Sequence, residues 1–465
     1  MAAIPPSVLA EYSPKPIFRN KPYAHLDAKR QPEPMQSFIK DPEWVARHGF
    51  LPFIHVVLKT RRRKGKHVRP EYKDRHIYYA SHLDRYVYQW YAHLTSEAYE
   101  SYIKANAFDA APIAYRSIDS KTNIHFAKEA FDFIRKQEDS FVFISDFHKF
   151  FDNLDHALLK EKLKTVFGVR ELPDDHYRVY KNMTKFRYFD LQDIAKALGT
   201  TKELLRHRTR KPDRLLSSAA MRSMKKEFLK SNDNRRSEVI VGIPQGSPIS
   251  AVYANVYMID FDKELQNFTL SLNGFYRRYS DDIICAVPFH ERARFEAFFA
   301  ELLTSIRADI SPAKTKRFRV VEGKPFTDPS IFVGVDTYNR PGIIDYLGFS
   351  YNGACVRLRE GTLNKYYQKL TRRLFLLQHI STQKGRIVGR KHLYARSSHL
   401  GEANRRNLQE LRASDAPISI KKRNFFTYER NAAEIFGDDQ IRHQVGGHWR
   451  RIHKFIRDIN IEVRK

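Results

Sequence analysis

Asp146 closes the segment Phe141-Val142-Phe143-Ile144-Ser145-Asp146. An apolar run that ends on an acid reads as a buried strand leading to a carboxylate. A carboxylate in that position is costly unless a cation or hydrogen bonds compensate it. A second acidic site lies in Tyr279-Ser280-Asp281-Asp282-Ile283-Ile284, preceded by Arg277 and Arg278. Neighbouring aspartates repel each other, so a hairpin turn carrying two of them suits either open water or a divalent cation. Taken alone, Asp281-Asp282 favours water, because Asp is a common turn residue. Taken with Asp146, the pattern suits magnesium at a phosphate, held by one or two carboxylates plus the substrate's own oxygens. Two such ions can activate an attacking hydroxyl and steady a leaving pyrophosphate. Asp146 and Asp281 are 135 residues apart, so only a folded sheet can join them.

A third segment, Gly242-Ile243-Pro244-Gln245-Gly246-Ser247-Pro248-Ile249-Ser250, leads into an apolar periodic stretch. Gly246 permits close backbone approach to a ligand. Ser247 suits a helix cap and Pro248 a helix start. Such an entrance can cradle a nucleotide or a template strand. An ordinary strand-to-helix turn uses the same residues.

The elements that must position these groups follow from periodicity. Ile77 to Tyr99 reads as a helix, and 141–146 as a strand. His156 to Val166 reads as a helix, and 170–235 as a basic, mostly helical insert with a loop at Arg208 to Asp213. Val239 to Ile243 is a short strand and Ser250 to Leu265 one helix. Gly274 to Val287 fits a hairpin and 291–306 an amphipathic helix. Tyr346 to Arg359 alternates like a strand. From Leu363 the chain is helical and basic, interrupted at Gly385, Gly389 and Gly401. Residues 1–45 form a proline-rich arm, expected to be extended and to pack late, if at all. The run Arg61 to Lys66 is either a solvated loop tip or a phosphate-facing loop.

The 465 residues are 42% hydrophobic, enough for a core in two or three domains. Lys and Arg number 82 against 53 Asp and Glu, a net charge of +29, which points to a polyanion such as nucleic acid. Two cysteines, Cys285 and Cys355, make neither a disulfide framework nor a zinc set. No apolar run reaches the length of a membrane span and the first ten residues do not read as a signal peptide, so a soluble, cytoplasmic protein is expected.

The order Asp-x4-Phe-Asp, then Gly-Ile-Pro-Gln-Gly-Ser-Pro-Ile-Ser, then Tyr-x-Asp-Asp resembles the palm of reverse transcriptases. The likeness continues in Asp309-Ile310-Ser311-Pro312-Ala313-Lys314-Thr315 and in Tyr346-Leu347-Gly348-Phe349, similar to the family's lysine motif and primer grip. Upstream, Lys73-Asp74-Arg75-His76-Ile77 and Ala114-Tyr115-Arg116 resemble two fingers motifs. The match runs from about residue 70 to 355, in family order.

The resemblance implies an α+β right-hand polymerase. An antiparallel palm sheet packs on helices (136–165 and 239–355, within a fingers-and-palm unit 46–355), and a basic helical, thumb-like region follows at 356–465. It implies that Asp146 and Asp281 hold two Mg²⁺ ions, with the Phe147 carbonyl as a further ligand and Asp282 in support. Phe151 would lie under the incoming sugar and favour dNTPs. Gln245 and Gly246 would line the nucleotide pocket, and Lys73 and Arg75 would grip the triphosphate. Lys314 would face the pyrophosphate, and Leu347, Gly348 and Phe349 would form the primer grip. Arg116, Arg372, Arg373, Lys384, Arg386, Arg390 and Lys391 are candidates for phosphate contacts.

The Tyr279-Ser280-Asp281-Asp282 form and compact size resemble bacterial enzymes. Retron markers ("NAxxH", "VTG") are missing, and two cysteines exclude the Cys/His-rich endonuclease of intron proteins. What remains is similar to the defence-associated "unknown group" and abortive-infection-like enzymes, which implies a structured non-coding RNA partner, a DNA product and an anti-phage role. Three readings compete: a retron or intron enzyme, a decayed palm kept as a nucleic-acid-binding scaffold, and an RNA-templated RNA polymerase, which Phe151 disfavours.

Overall fold

The computed structural model describes residues 17–62, 71–201, 214–327, 340–389, 393, 396–397 and 424–464. Two sheets dominate. The first begins with the hairpin β1 (Phe53–Arg62) and β2 (Glu71–Tyr79), followed by helices α1 (His82–Ala105) and α2 (Asn123–Arg135). Strand β3 (Asp139–Asp146) and helices α3 (His156–Phe167) and α4 (Asp174–Thr184) come next. Strand β4 (Arg187–Asp190), helix α5 (Ser218–Phe228) and strand β5 (Lys230–Ser231) then complete the first sheet, in the order β2-β1-β4-β5. The insert 170–235 therefore supplies two strands as well as helices.

The second sheet holds the candidate site. Helices α6 (Ser250–Tyr257) and α7 (Ile259–Ser271) lead to β6 (Phe275–Tyr279) and β7 (Asp282–Pro288). Helix α8 (Arg292–Ser305), β8 (Lys316–Val321), β9 (Lys324–Thr327) and β10 (Arg340–Pro341) follow. The strand order is β10-β9-β8-β3-β7-β6, antiparallel throughout. Strand β3 is central and covered on both faces. Phe141 and Phe143 enter one core, and Val142 and Ile144 enter the other. Strand β7 divides likewise, with Ile283 and Cys285 on one side and Ile284 and Ala286 on the other. Burial on both faces explains why these strands read as unbroken apolar runs. This is the mixed α+β class that the sequence implied.

A three-stranded sheet, β11 (Ile344–Tyr346), β12 (Phe349–Tyr351) and β13 (Val356–Leu358), follows. Its last strand lies beyond residue 355 yet pairs with β12. Helices α9 (Glu360–Gln383), α10 (Phe425–Phe436), α11 (Gln440–His443) and α12 (His448–Arg464) complete the chain. Asp438 accepts from the Val356 N–H (2.7 Å) and Gln444 from the Leu358 N–H (2.7 Å), so C-terminal side chains satisfy the free edge of β13. Among the described residues no helix is long and apolar enough to cross a membrane.

Several local expectations change. Ile77 to Tyr79 belong to β2, because they pair with β1. The helix starts only at His82, capped by Ser81. Part of the N-terminal arm is packed against the fold. The Tyr23 hydroxyl donates to the Ala80 carbonyl (2.9 Å), and Asp27 accepts from the His82 and Leu83 N–H groups (3.0 Å each), a cap that fixes the start of α1. Of 239–243, only Val239–Ile240 forms a strand. The expected helix 250–265 breaks at Met258, and the break lets Asn255 and Asp262 reach one guanidinium. Residues 1–16, the greater part of the Arg61–Lys66 run and the loop Arg208–Asp213 lie outside the described residues.

Candidate active site

The register of β3 against β7 sets Asp146 opposite Asp282. Asp281 stands in the two-residue turn between β6 and β7, where Tyr279 pairs with Asp282. The Phe147 N–H donates to the Asp281 carbonyl (3.0 Å), locking this turn to the end of β3. The turn needs a positive φ at Ser280 (+61°), a conformation that few non-glycine residues adopt. Several groups enforce it. The Arg278 guanidinium donates to the Ser280 carbonyl (3.0 Å), and the hydroxyls of Tyr115 and Ser280 are 2.9 Å apart. Arg278 is itself buried and held by both oxygens of buried Asp262 (2.8 and 2.5 Å).

The three carboxylates crowd one rim. Loss of water first, and repulsion from Asp281 and Asp146 next, push the Asp282 carboxyl up to about 7. Burial and then Asp146 raise Asp281, while Lys314 and Lys73 pull it back. Lys314 is ion-paired with Asp146. Among the described residues no three His, Cys, Asp or Glu side chains converge as a closed metal-holding set. The rim is an open acidic edge instead, and it fits a cation that takes its other ligands from a phosphate.

Further segments converge on this rim. The Ile243 N–H donates to the Phe151 carbonyl (2.8 Å), which joins the loop after β3 to the Gln245 segment. Phe151 is half-buried, its ring 5.7 Å from that of Phe150. Gly246 has φ +121°, and a side chain there would meet the Tyr78 carbonyl at 2.7 Å. Glycine is required because strand β2 itself passes this close. The Tyr78 N–H donates to the Gln245 carbonyl (2.8 Å). Ile77 lies over Gly246, so Arg75 and Lys73, at alternate positions of β2, share its face. Lys73 is also one of the cations that lower Asp281.

The family model described as reverse transcriptase (RNA-dependent DNA polymerase) matches residues 98–351. The chain belongs to the reverse transcriptase family. No curated protein sequence matches it. Among solved structures, apo telomerase from Candida tropicalis, truncated of its C-terminal domain, is 10% identical with a TM-score of 0.41. That comparison covers 66% of this chain and 55% of the telomerase. Telomerase from Candida albicans, in complex with a TWJ fragment of telomeric RNA, is 13% identical with a TM-score of 0.39, covering 92% of this chain and 61% of that one. This reverse transcriptase thus spans between half and two thirds of these relatives' length.

Leu347 and Gly348 form a two-residue hairpin turn, both with positive φ (+46° and +94°). Asn123 holds it by donating to the Leu347 carbonyl (3.0 Å) and the Tyr428 hydroxyl (2.9 Å). Phe349 is buried behind it against Phe436 (4.9 Å). Sequence reasoning missed Tyr115, Asn123, Tyr428 and the Asn255–Asp262–Arg278 network. A hydrophilic Asn255 and Asp262 seven residues apart in an apolar stretch were the available signal.

One expected phosphate contact is corrected. The Arg116 guanidinium pairs with Glu100 (2.6 and 2.8 Å) and donates to the carbonyls of Asp109 and Pro112 (2.5 Å each). Its donors are spent inside the fold. Ser247 does not cap α6, whose first residue is Ser250. The Ser250 hydroxyl instead donates to the Pro244 carbonyl (2.6 Å). Arg372, Lys384 and Arg386 are exposed and Arg373 half-buried, whereas Arg390 and Lys391 lie outside the described residues.

The raised acids predict a pH dependence. In a metal-free fold they favour the protonated form. Their contribution to stability is full below the ordinary carboxylate range and is lost as pH rises through about 7. A divalent cation needs the ionised form, so its stabilisation should grow over the same range. Melting curves are expected to show little shift with magnesium near about pH 5.5 and several degrees near about pH 8. A shift independent of pH would separate this rim from cation binding.

Proposed function

We propose that the chain is an RNA-templated DNA polymerase that adds dNTPs to a 3′-hydroxyl. The juxtaposition of Asp146, Asp281 and Asp282, with Lys314 beside them, carries this reading. Asp146 and Asp281 would hold two magnesium ions with the Phe147 carbonyl, and Asp282 would support them. The neighbouring Asp146 carbonyl is already taken by the Ser311 N–H (2.8 Å). When bound, the ions supply charge neutralisation at the reacting phosphate. The protein's own groups orient and balance charge. Lys73 and Arg75 face the triphosphate, Gln245 and Gly246 line the base and template side, and Lys314 neutralises the departing pyrophosphate. The turn at Leu347 and Gly348 steadies the primer.

Residues 46–355 act as fingers and palm, and the helices after 356 as a thumb. Arg372, Arg373, Lys384, Arg386, Arg390 and Lys391 meet the duplex backbone from that side. The excess of cations suits a structured non-coding RNA partner. The motif forms support a cytoplasmic anti-phage defence role, and sequencing the nucleic acid that co-purifies with the protein tests it.

Purified protein should extend a DNA primer on an RNA template with magnesium and stop when the metal is chelated. No extension under any primer and template combination would sink the reading. Phe151→Val should raise ribonucleotide incorporation by roughly tenfold or more, the scale of one steric contact in a pocket. Competing dNTP and NTP addition measures it, and unchanged sugar discrimination removes Phe151 from the gate.

A further inference from the structure

Two hairpin turns carry the acids and the proposed primer contact, and both are bent against their residue types. Ser280 (φ +61°) and Leu347 (φ +46°) occupy the left-handed region without being glycine. Such a conformation persists only where its surroundings over-determine it. Each turn is held from outside by a polar side chain of one short segment. The Tyr115 hydroxyl lies 2.9 Å from the Ser280 hydroxyl, and the Asn123 amide donates to the Leu347 carbonyl (3.0 Å). Seven residues separate Tyr115 from Asn123.

This segment has little slack. The Ile113 N–H donates to the Arg278 carbonyl and the Arg278 N–H to the Ala111 carbonyl (2.9 Å each), so the approach to Tyr115 is laced to β6. Asn255 donates to the Ala114 carbonyl (3.0 Å). Arg116 is clamped to Glu100 and to the Asp109 and Pro112 carbonyls. A turn follows, with the Lys121 N–H on the Ile118 carbonyl (2.7 Å) and positive φ at Asp119 (+43°) and Ser120 (+57°). Thr122 then caps α2 in a box with His125. Eight residue steps reach at most roughly 28 Å, and the turn shortens that span.

The far end carries one more tie. A carbonyl only accepts, so the Leu347 contact sets the Asn123 amide with its NH₂ group toward the turn. Its second hydrogen goes to the Tyr428 hydroxyl (2.9 Å). Tyr428 belongs to α10, beyond the end of the family match at residue 351. Its ring stacks on Phe349 (6.1 Å), and Ala432 and Ala433 of α10 enter the core that holds β11 to β13. Holding either turn by itself would not require one segment to clamp both, or a later helix to clamp that segment. Resting on the polymerase reading above, we infer that residues 115–123 are a strut that fixes the primer turn against the acidic turn, with Tyr428 bolting α10 to it. Tyr115, Asn123 and Tyr428 are then positioning residues for nucleotide addition. They act through the two turns, where a misplacement of about 1 Å between reacting groups costs up to roughly a hundredfold in rate.

The test uses the full-length protein, a DNA primer on an RNA template, and the variants Tyr115→Phe, Tyr428→Phe and their combination. Each substitution keeps the ring and removes one hydroxyl. Each single variant should slow addition at saturating dNTP by about tenfold, with dNTP KM and primer–template affinity within about twofold of wild type. The double variant should lose much less than the product of the two, because both break the same strut. Hydrogen exchange reads the strut without activity. Tyr428→Phe should speed exchange at 279–283, and Tyr115→Phe at 346–349, each at the turn remote from the change. Multiplicative rate losses overturn the inference, as do exchange changes confined to each variant's own turn. So does a raised KM with an unchanged saturated rate, or the same slowing from Tyr177→Phe on exposed α4. If wild type extends no primer, the polymerase reading fails, and the exchange pattern still decides on the strut.

Discussion

Asp281→Asn is expected to reduce primer extension by at least about a thousandfold, near 4 kcal/mol of transition-state stabilisation. RNA affinity should stay within about twofold, since one rim charge is a small part of a phosphate interface. Asparagine matches aspartate in shape, and the turn does not depend on the lost charge. It is held by the Phe147 N–H on the Asp281 carbonyl, by Arg278 on the Ser280 carbonyl and by Tyr115 on the Ser280 hydroxyl. The substitution also relieves repulsion, because Asp281 helps to raise the Asp282 carboxyl and is itself raised by Asp146. Metal-free stability near neutral pH should therefore hold or rise while activity disappears. Single-nucleotide extension beside an RNA-binding isotherm measures both. Continued DNA synthesis by the variant would remove Asp281 from the ion-holding set.

The largest expected stability loss lies beneath the turn. Asp262→Ala leaves the Arg278 guanidinium buried with its main partner gone. Arg278 and Asp262 are both fully buried, and Tyr276 also donates to Asp262 (2.6 Å). Burial opposes the charge on Arg278, and Asp262 more than offsets this, holding it above the ordinary arginine range. Arginine cannot neutralise itself by losing a proton. Removing one partner of such a pair costs about 3–5 kcal/mol, a large share of a typical total of roughly 5–15. Urea unfolding should show it as a lower midpoint. The double variant Asp262→Leu with Arg278→Met should recover much of the stability, because apolar replacements carry no uncompensated charge. It should not recover full activity, because the donor to the Ser280 carbonyl is gone. A loss below about 1 kcal/mol in the single variant would show that Arg278 finds another partner.

The strands that carry the acids were legible because their pattern is local. A both-faces-buried strand reads as an apolar run, and an acid at its end stands out at Asp146 and again at Asp281. Boundaries were less legible. Ile77 to Tyr79 have aromatic spacing that suits a helix, yet pairing with β1 makes them strand, and pairing partners are not written in local periodicity. Arg116 sits in a motif-like triplet, and nothing in the triplet reveals that Glu100 claims its guanidinium.

Residue types marked Asp146, the Asp281-Asp282 turn and the Gln245 loop, because each is written in a short stretch of chain, and the order of the motifs implied the α+β class through its resemblance to a family. Tertiary structure decided which charges are available. It brought Asp146 and Asp282 into register, buried Arg278 on Asp262, spent Arg116 internally and, among the described residues, left Lys181, Lys185, Arg187 and Lys225 without an ion pair. Whether a charge faces a partner, a core or open water depends on neighbours brought from remote parts of the chain, and its energy changes severalfold between those settings.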